Sequence, residues 1–382
     1  MASKLQSHDL TKAEAERYSR QLVMPEIGPV GQRKLKSSSV AVIGAGGLGI
    51  PASVYLTAAG VGRIGIVDHD IIEKSNLHRQ TLYSEADVGE QKAKVAGERL
   101  KQVNPYVTID AYPERLDSSN ALELLKGYDV VVDCTDNFPA RYLINDACVL
   151  LGKPDVYASV FRFDGQASVF DAKTGPCYRC LFPEPPPPDS VQDCAMAGVL
   201  GVLPGIMGSI QAVQTTNLLL KNGQSLAGRL LLLNATDMAF SELHVKKDPN
   251  CPICGRNPTI RKLIDYEEFC GLRKQSRHVE EITPRELKHI IDGGEQVVLL
   301  DVREPYEHEF TRIQGSVLIP LGELEERFGE LKKSTPIIVY CHSGIRSATA
   351  AEFLSSKGFR AKNLRGGILA WVHDIDQKLP VY

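Results

Sequence analysis

Three observations predict an α/β chain, a doubly wound, mainly parallel sheet with an antiparallel extension, followed by a smaller α/β domain. Short apolar runs alternate with helix-like segments through the first half of the sequence. After about Val156 closely spaced strand-like runs replace them, and a fresh alternation opens at Thr283.

The elements follow in order. Residues 39–44 (SVAVIG) read as a buried strand rich in β-branched side chains, and residues 49–59 as the helix after it. Residues 63–68 (RIGIVD) and 128–133 (YDVVVD) are further buried strands, with a helix at 92–103 between them. Apolar runs without polar alternation fit a parallel sheet covered on both faces. VYASVF, QASVF and RLLLLN supply the antiparallel extension, and the proline run at 183–188 is an extended loop. A first domain over residues 1–257 is expected, then a linker at 258–280 with a docked segment around 266–269. The second domain is expected at 281–382. It opens with Thr283 as helix N-cap, Pro284 in the first turn and Glu286 completing a capping box. Strands at 297–301 and 336–341 and a helix at 347–357, closed by Gly358, complete the outline.

The 382 residues carry a net charge of −3, with 43% apolar and 24% charged residues. Nothing in that balance favours nucleic acid, whose binding neutralises many phosphates. The first residues are polar, and no run reaches the length of about 20 apolar residues that spans a bilayer. A reducing, cytoplasmic setting is expected. The nine cysteines are an odd number and widely scattered, which argues against a secreted disulfide framework.

Gly44-Ala45-Gly46-Gly47-Leu48-Gly49 links a strand to a helix, so backbone amides can approach a phosphate at the helix N-terminus. Asp68 ends the next strand, where an acidic side chain holds ribose hydroxyls. This Rossmann-like signature leaves a nicotinamide dinucleotide and ATP both open. Arg17, Arg20, Arg79 and Lys92 flank the fold, and that much positive charge favours a triphosphate whose pyrophosphate must leave. Asp136 follows the strand YDVVVD at the sheet's ligand edge. It suits Mg²⁺ bridging phosphate oxygens, with a helix cap as the alternative.

RYSRQ, GAGGLG, Asp68, SNLHRQ, Lys92 and DCTDN, in that order over roughly residues 12–257, resemble the ubiquitin-activating-type adenylyltransferases of the MoeB/ThiF group. The resemblance implies ATP binding by Gly47, Asp68, Ser75, Asn76, Leu77, His78, Arg79, Lys92, Asp136 and Asn137. It also implies a homodimer in which Arg20 reaches the neighbouring subunit's phosphates.

Cys177 and Cys180 form one Cys-x-x-Cys knuckle and Cys251 and Cys254 another, four thiolates suited to tetrahedral zinc. Their long separation exceeds that of a zinc ribbon, and a redox dithiol is the rival reading. The resemblance implies structural Zn²⁺ at all four. Cys194 follows the proline loop, and the matching cysteine of the family forms thioester or disulfide intermediates. Here Ala195-Met196-Ala197 replaces the family's usual acidic context. Cys134 and Cys148 read as core thiols.

Cys341-His342-Ser343-Gly344-Ile345-Arg346 joins a strand to a helix. Such a loop aims N–H groups at the sulfur, and the helix N-terminus and Arg346 favour an anion there. With LDVREPYEHEF, QGSVLIPLGEL and LRGGILAW, residues 281–382 resemble a rhodanese domain. Phosphatases of related fold need Cys-x₅-Arg, whereas Cys-x₄-Arg suits one sulfur atom. The whole chain resembles the fused, MoeZ-like adenylyltransferase–sulfurtransferases. That implies adenylation of a ubiquitin-like sulfur carrier ending in Gly-Gly, then sulfur delivery from a Cys341 persulfide. Cys341, Cys194, Asp136, Arg79 and Arg20 are the expected catalytic residues. A cysteine desulfurase is the expected persulfide donor, and the molybdenum cofactor and thiamine pathways are candidate settings.

Overall fold

In a computed structural model the chain forms two compact units, Met1–Arg273 and Lys274–Tyr382. The structure describes residues 9–186, 198–271 and 279–380. In the first unit eight strands form one sheet: β1 Ser39–Ile43, β2 Arg63–Val67, β3 Thr108–Tyr112, β4 Val130–Asp133, β5 Asp155–Phe161, β6 Asp164–Phe170, β7 Arg229–Asn234 and β8 Ala239–His244. Their order is β3-β2-β1-β4-β5-β6-β7-β8. Pairing is parallel from β3 through β5 and antiparallel from β5 through β8. This is the doubly wound sheet with an antiparallel extension that the sequence predicts.

Successive side chains of β1 show why the strand reads as an unbroken apolar run. Val40 and Val42 enter one core, with the helices Gly49–Ala58, Lys92–Val103 and Leu203–Leu220 contributing to it. Ala41 and Ile43 enter the other, which includes the helix Phe138–Leu151. A strand alternates faces residue by residue, so a sheet covered on both sides leaves no position for a polar residue. The helix Lys92–Val103 has the predicted bounds. The helix Leu203–Leu220 carries no charged residue. It packs against the helix Gly49–Ala58 and against β5 and β6.

In the second unit five strands run parallel in the order β11-β10-β12-β13-β9. They are β9 Glu281–Ile282, β10 Val298–Asp301, β11 Val317–Leu318, β12 Ile337–Tyr340 and β13 Ala361–Leu364. The Thr283 capping box forms, with the Glu286 amide donating to Thr283 Oγ1 at 3.3 Å and the Thr283 amide to Glu286 Oε2 at 2.8 Å. The helix after β12 begins at Ile345, two residues before the predicted start, because Gly344 adopts φ 94° and turns the chain at once.

Candidate functional site

A cleft of about 1250 Å³ opens in the first unit. The sharp turn out of β1 forms one side of it. A Cβ on Gly49 would lie 1.8 Å from the Gly44 carbonyl oxygen, so only glycine lets the helix Gly49–Ala58 start this close to the strand. Asp68, just beyond β2, ties the loop down. Its Oδ2 accepts from the Ala45 amide at 2.7 Å and its Oδ1 from the Asp70 amide at 2.8 Å. Burial pushes its carboxyl above the usual range, against the opposing pull of Lys92. The Tyr83 hydroxyl donates to the Ala45 carbonyl at 2.9 Å and steadies the loop from the other side.

The cleft brings together Gly46, Gly47, Asp68, Asn76, Arg79, Lys92, Asp136 and Asn137. Lys92 is buried, and its Nζ donates to Asp70 Oδ2 at 2.8 Å. Arg79 holds the Ser75 carbonyl at 2.9 Å and lies 2.8 Å from His78 Nε2. Ser75, Leu77 and His78 do not line the cleft; they shape the turn that carries Arg79. Arg20 is exposed on the short helix Ser19–Leu22, outside this chain's cleft. Arg17 donates to the Val103 carbonyl.

At the mouth of the cleft Asn137, not Asp136, caps the helix Phe138–Leu151, accepting from the Ala140 amide at 3.0 Å. That leaves Asp136 as an exposed carboxylate steadied at 3.4 Å by Asn137 Nδ2. Buried Asp133 holds the turn before it, its Oδ1 accepting from the Thr135 amide at 2.9 Å and the Thr135 hydroxyl at 2.6 Å. An oxygen-only, exposed carboxylate beside a cleft rich in donors is the ligand type that Mg²⁺ takes. Asp70 lay in no motif, and Asp133 opens DCTDN without a role of its own there; only their contacts expose what they do.

The two knuckles meet. Cys177 Sγ lies 3.8 Å from Cys180 Sγ and 3.6 Å from Cys251 Sγ, while Cys180 and Cys254 are 3.4 Å apart. All four sulfurs fall within 4.8 Å of one another and none is in a disulfide. Four sulfurs about 2.3 Å from one ion would stand about 3.8 Å apart, so the residues fit a tetrahedral metal. Cys194 lies outside the described residues.

In the second unit Cys341 directly follows β12 and is 1% exposed. The Gly344 amide donates to its sulfur at 3.1 Å and the Ser347 hydroxyl stands 3.3 Å away. The loop is clamped from above, where the Ile368 amide donates to the Cys341 carbonyl at 2.8 Å. There a Cβ on Gly367 would come within 2.5 Å of two carbonyl oxygens. Arg346 differs from expectation. Its guanidinium makes a bidentate pair with Glu307 at 2.7 and 2.8 Å. Asp301 likewise holds Arg303 at 2.7 Å, and His308 Nδ1 lies 2.9 Å from the same carboxylate. The observed donor to the sulfur is the Gly344 amide; the Ser347 hydroxyl beside it gives its single proton to Asn363 Oδ1 at 2.7 Å, and Arg346 is held by Glu307. A buried cation pairs with the nearest carboxylate when one is in reach.

Residues 18–253 match the ThiF family and residues 283–374 the rhodanese-like domain. Over 268 residues, 69% of this chain and 99% of the relative, the sequence is 57% identical to the sulfur carrier protein adenylyltransferase of Thermus thermophilus. Over 384 residues, 98% and 96% of the two chains, it is 43% identical to the probable adenylyltransferase/sulfurtransferase MoeZ of Mycobacterium tuberculosis. The adenylyltransferase and sulfurtransferase MOCS3 of Mus musculus is 41% identical over 98% of this chain and 88% of its own. Among solved structures, E. coli MccB with ATP superposes with a TM-score of 0.55 at 22% identity, covering 62% of this chain and 74% of that one. At that identity the likeness speaks for the fold.

Proposed function

Since the chain belongs to the ThiF family and carries a rhodanese-like domain, we propose that its two units act in sequence on one sulfur carrier. It is an enzyme, an adenylyltransferase and sulfurtransferase, and its partner is a sulfur-carrier protein. In our reading the carrier is ubiquitin-like and ends in Gly-Gly. Its terminal carboxylate attacks the α-phosphate of ATP in the cleft, forming an acyl-adenylate and releasing pyrophosphate. Gly47 and its neighbours present amides to the phosphates, Asp68 accepts ribose hydroxyls, and Arg79 and Lys92 offset charge on the leaving group. Asp136 would hold Mg²⁺, which supplies charge neutralisation when bound.

The observation that carries this reading is the presence on one chain of both halves. One is a glycine-loop cleft with a buried lysine and an exposed carboxylate at its mouth. The other is a loop whose Gly344 amide donates to a single buried sulfur, with the Ser347 hydroxyl beside it. A Cys341 persulfide attacks the acyl carbon and AMP leaves, giving an acyl disulfide between Cys341 and the carrier. A second thiol, for which Cys194 is our candidate, then attacks the Cys341 sulfur. The carrier departs as a thiocarboxylate, and a protein disulfide remains.

Cys177, Cys180, Cys251 and Cys254 would hold one zinc, which braces the end of the first unit. A cysteine desulfurase supplies the persulfide, and the enzyme works in the cytoplasm as a homodimer. Arg20 of each chain then completes its neighbour's nucleotide site, in keeping with its position outside its own cleft. The test supplies purified protein with ATP, a carrier ending in Gly-Gly and a persulfide donor. Carrier-dependent ATP–pyrophosphate exchange and a carrier mass gain of one sulfur in place of oxygen are expected. Absence of exchange with every such carrier would overturn the reading.

A further inference from the structure

The stretch closing the first unit, beyond residue 253 where the ThiF match stops, lines the nucleotide cleft. Leu263, Ile264, Tyr266 and Glu267 form one wall and face a loop that follows β3, represented by Leu116 and Ser118. Strand order assigns this end of the cleft. β3 lies beyond β2 on the side away from β1, so a nucleotide with phosphates on the glycine loop and ribose at Asp68 extends its base toward β3. The wall there suits a base, because Leu116, Leu263 and Ile264 are half-buried apolar side chains packed on the second core.

The wall is also firmly built. The Tyr266 hydroxyl, on a side chain 4% exposed, donates to Asp146 Oδ2 at 2.9 Å. Asp146 is held by Arg179 in a bidentate pair at 2.8 and 2.9 Å, with the two side chains 0% and 1% exposed. The Arg179 guanidinium lies 4.7 Å from the Tyr142 ring and 4.5 Å from the Phe269 ring, so it grips the stretch at a second point. Nearer the cleft the Ser118 hydroxyl donates to the Ile264 carbonyl at 2.6 Å, and Arg115 pairs with Glu267.

We propose that residues 263–267 are the base-side wall of the nucleotide cleft and that Tyr266, through Asp146 and Arg179, is a positioning residue for nucleotide affinity. The inference rests on the nucleotide reading of the cleft. Its consequence is that the stretch leading into residues 272–278 and the second unit is held by the nucleotide as well as by the core.

The full chain tests it by two measurements. Amide exchange at residues 262–271 is followed with and without a non-hydrolysable ATP analogue, and slower exchange is expected on binding. Tyr266→Phe, which keeps the ring and removes one hydrogen bond, is titrated with ATP and with inorganic tripolyphosphate. Loosening the wall by one buried hydrogen bond should lower affinity by up to about two- to tenfold, the full worth of such a bond. The loss should appear for ATP and not for tripolyphosphate, whereas general unfolding would weaken both. If the wild type binds ATP yet the stretch exchanges equally fast in both states and Tyr266→Phe keeps full affinity, the wall is refuted while the nucleotide reading stands. If the wild type binds no ATP, the nucleotide reading falls and the wall with it. Should the variant not fold, the exchange measurement alone decides.

Discussion

The nucleotide cleft and the sulfur loop solve the same electrostatic problem, an anion at the carboxyl end of a parallel strand, in opposite ways. The cleft is wide, and its charges come from separate segments. Lys92 leans on the half-exposed Asp70, Arg79 on a carbonyl, and Asp136 stands exposed. The sulfur loop is closed, and its Arg346 pairs with buried Glu307, while elsewhere in the second unit Arg303 pairs with buried Asp301. A polyanionic substrate that enters and leaves calls for charges that can change partners. A single sulfur needs only fixed dipoles, of which the Gly344 amide already aims at it.

The sharpest way to break this comparison is to remove the reactive group from each region. Cys341→Ala should abolish thiocarboxylate formation and leave carrier-dependent pyrophosphate exchange near normal. Asp136→Ala should lower exchange by about 10²–10³-fold and leave persulfide loading of Cys341 intact. Assaying both half-reactions on both variants is decisive, since any cross-effect would mean the regions are not separable.

Next comes the cost of unpairing a buried charge. Glu307→Ala removes the carboxylate that holds the Arg346 guanidinium inside the second unit, and breaking such a pair costs about 3–5 kcal/mol. Calorimetric unfolding should show a transition of the second unit moving to lower temperature, with pyrophosphate exchange unchanged. A shift of the first unit's transition instead would contradict the division drawn here.

The first unit carries the opposite kind of buried acid. Asp155 is 1% exposed, its Oδ1 has no hydrogen-bond partner among the described residues, and burial, with Asp133 nearby, pushes its carboxyl well above the usual range. Folding therefore favours its protonated form. Its contribution is fully present at low pH and is lost as pH rises from the unfolded value of about 3.9 toward the raised one, at about 1.4 kcal/mol for each unit of pKa difference. Asp155→Asn removes that slope, so melting temperatures of variant and wild type should diverge in the variant's favour as pH rises from 5 to 8. Parallel curves would show that the carboxyl is solvated.

The smallest effect is expected at the cleft's own ion pair, half of which is exposed. Asp70→Asn frees Lys92 at a stability cost within about 1 kcal/mol, and ATP should bind up to about fivefold more tightly. Weaker ATP binding in a titration would make Asp70 a ligand rather than a counter-ion.

Much of both regions was legible because it is written in short stretches. The glycine turn, the Thr283 capping box, the apolar runs of β1, β2 and β4, and the cysteine loop each depend on neighbours within a few residues. Local sterics and hydrogen bonds set such features wherever the segment goes. The knuckles were paired by the resemblance, because their long separation in sequence left a redox dithiol open until the fold brought the four sulfurs together. The strand β3 (TIDAY) escaped notice because it lies at the sheet edge, where polar residues are tolerated and the apolar pattern breaks.

Partners distant in sequence were decided by the tertiary structure. Whether Arg346 faces the sulfur or Glu307, 39 residues away in sequence, depends on where the helix Pro305–Phe310 packs. Asp146 and Tyr266 are 120 residues apart, and neither lies in a recognisable motif. A charge or hydroxyl carries the same local signal in solvent as in a core. Its role depends on which opposite group the folded chain brings within hydrogen-bond reach and how much water is excluded there. The sequence alone determined what chemistry this chain can hold, and packing determined which of its charges remain free to perform it.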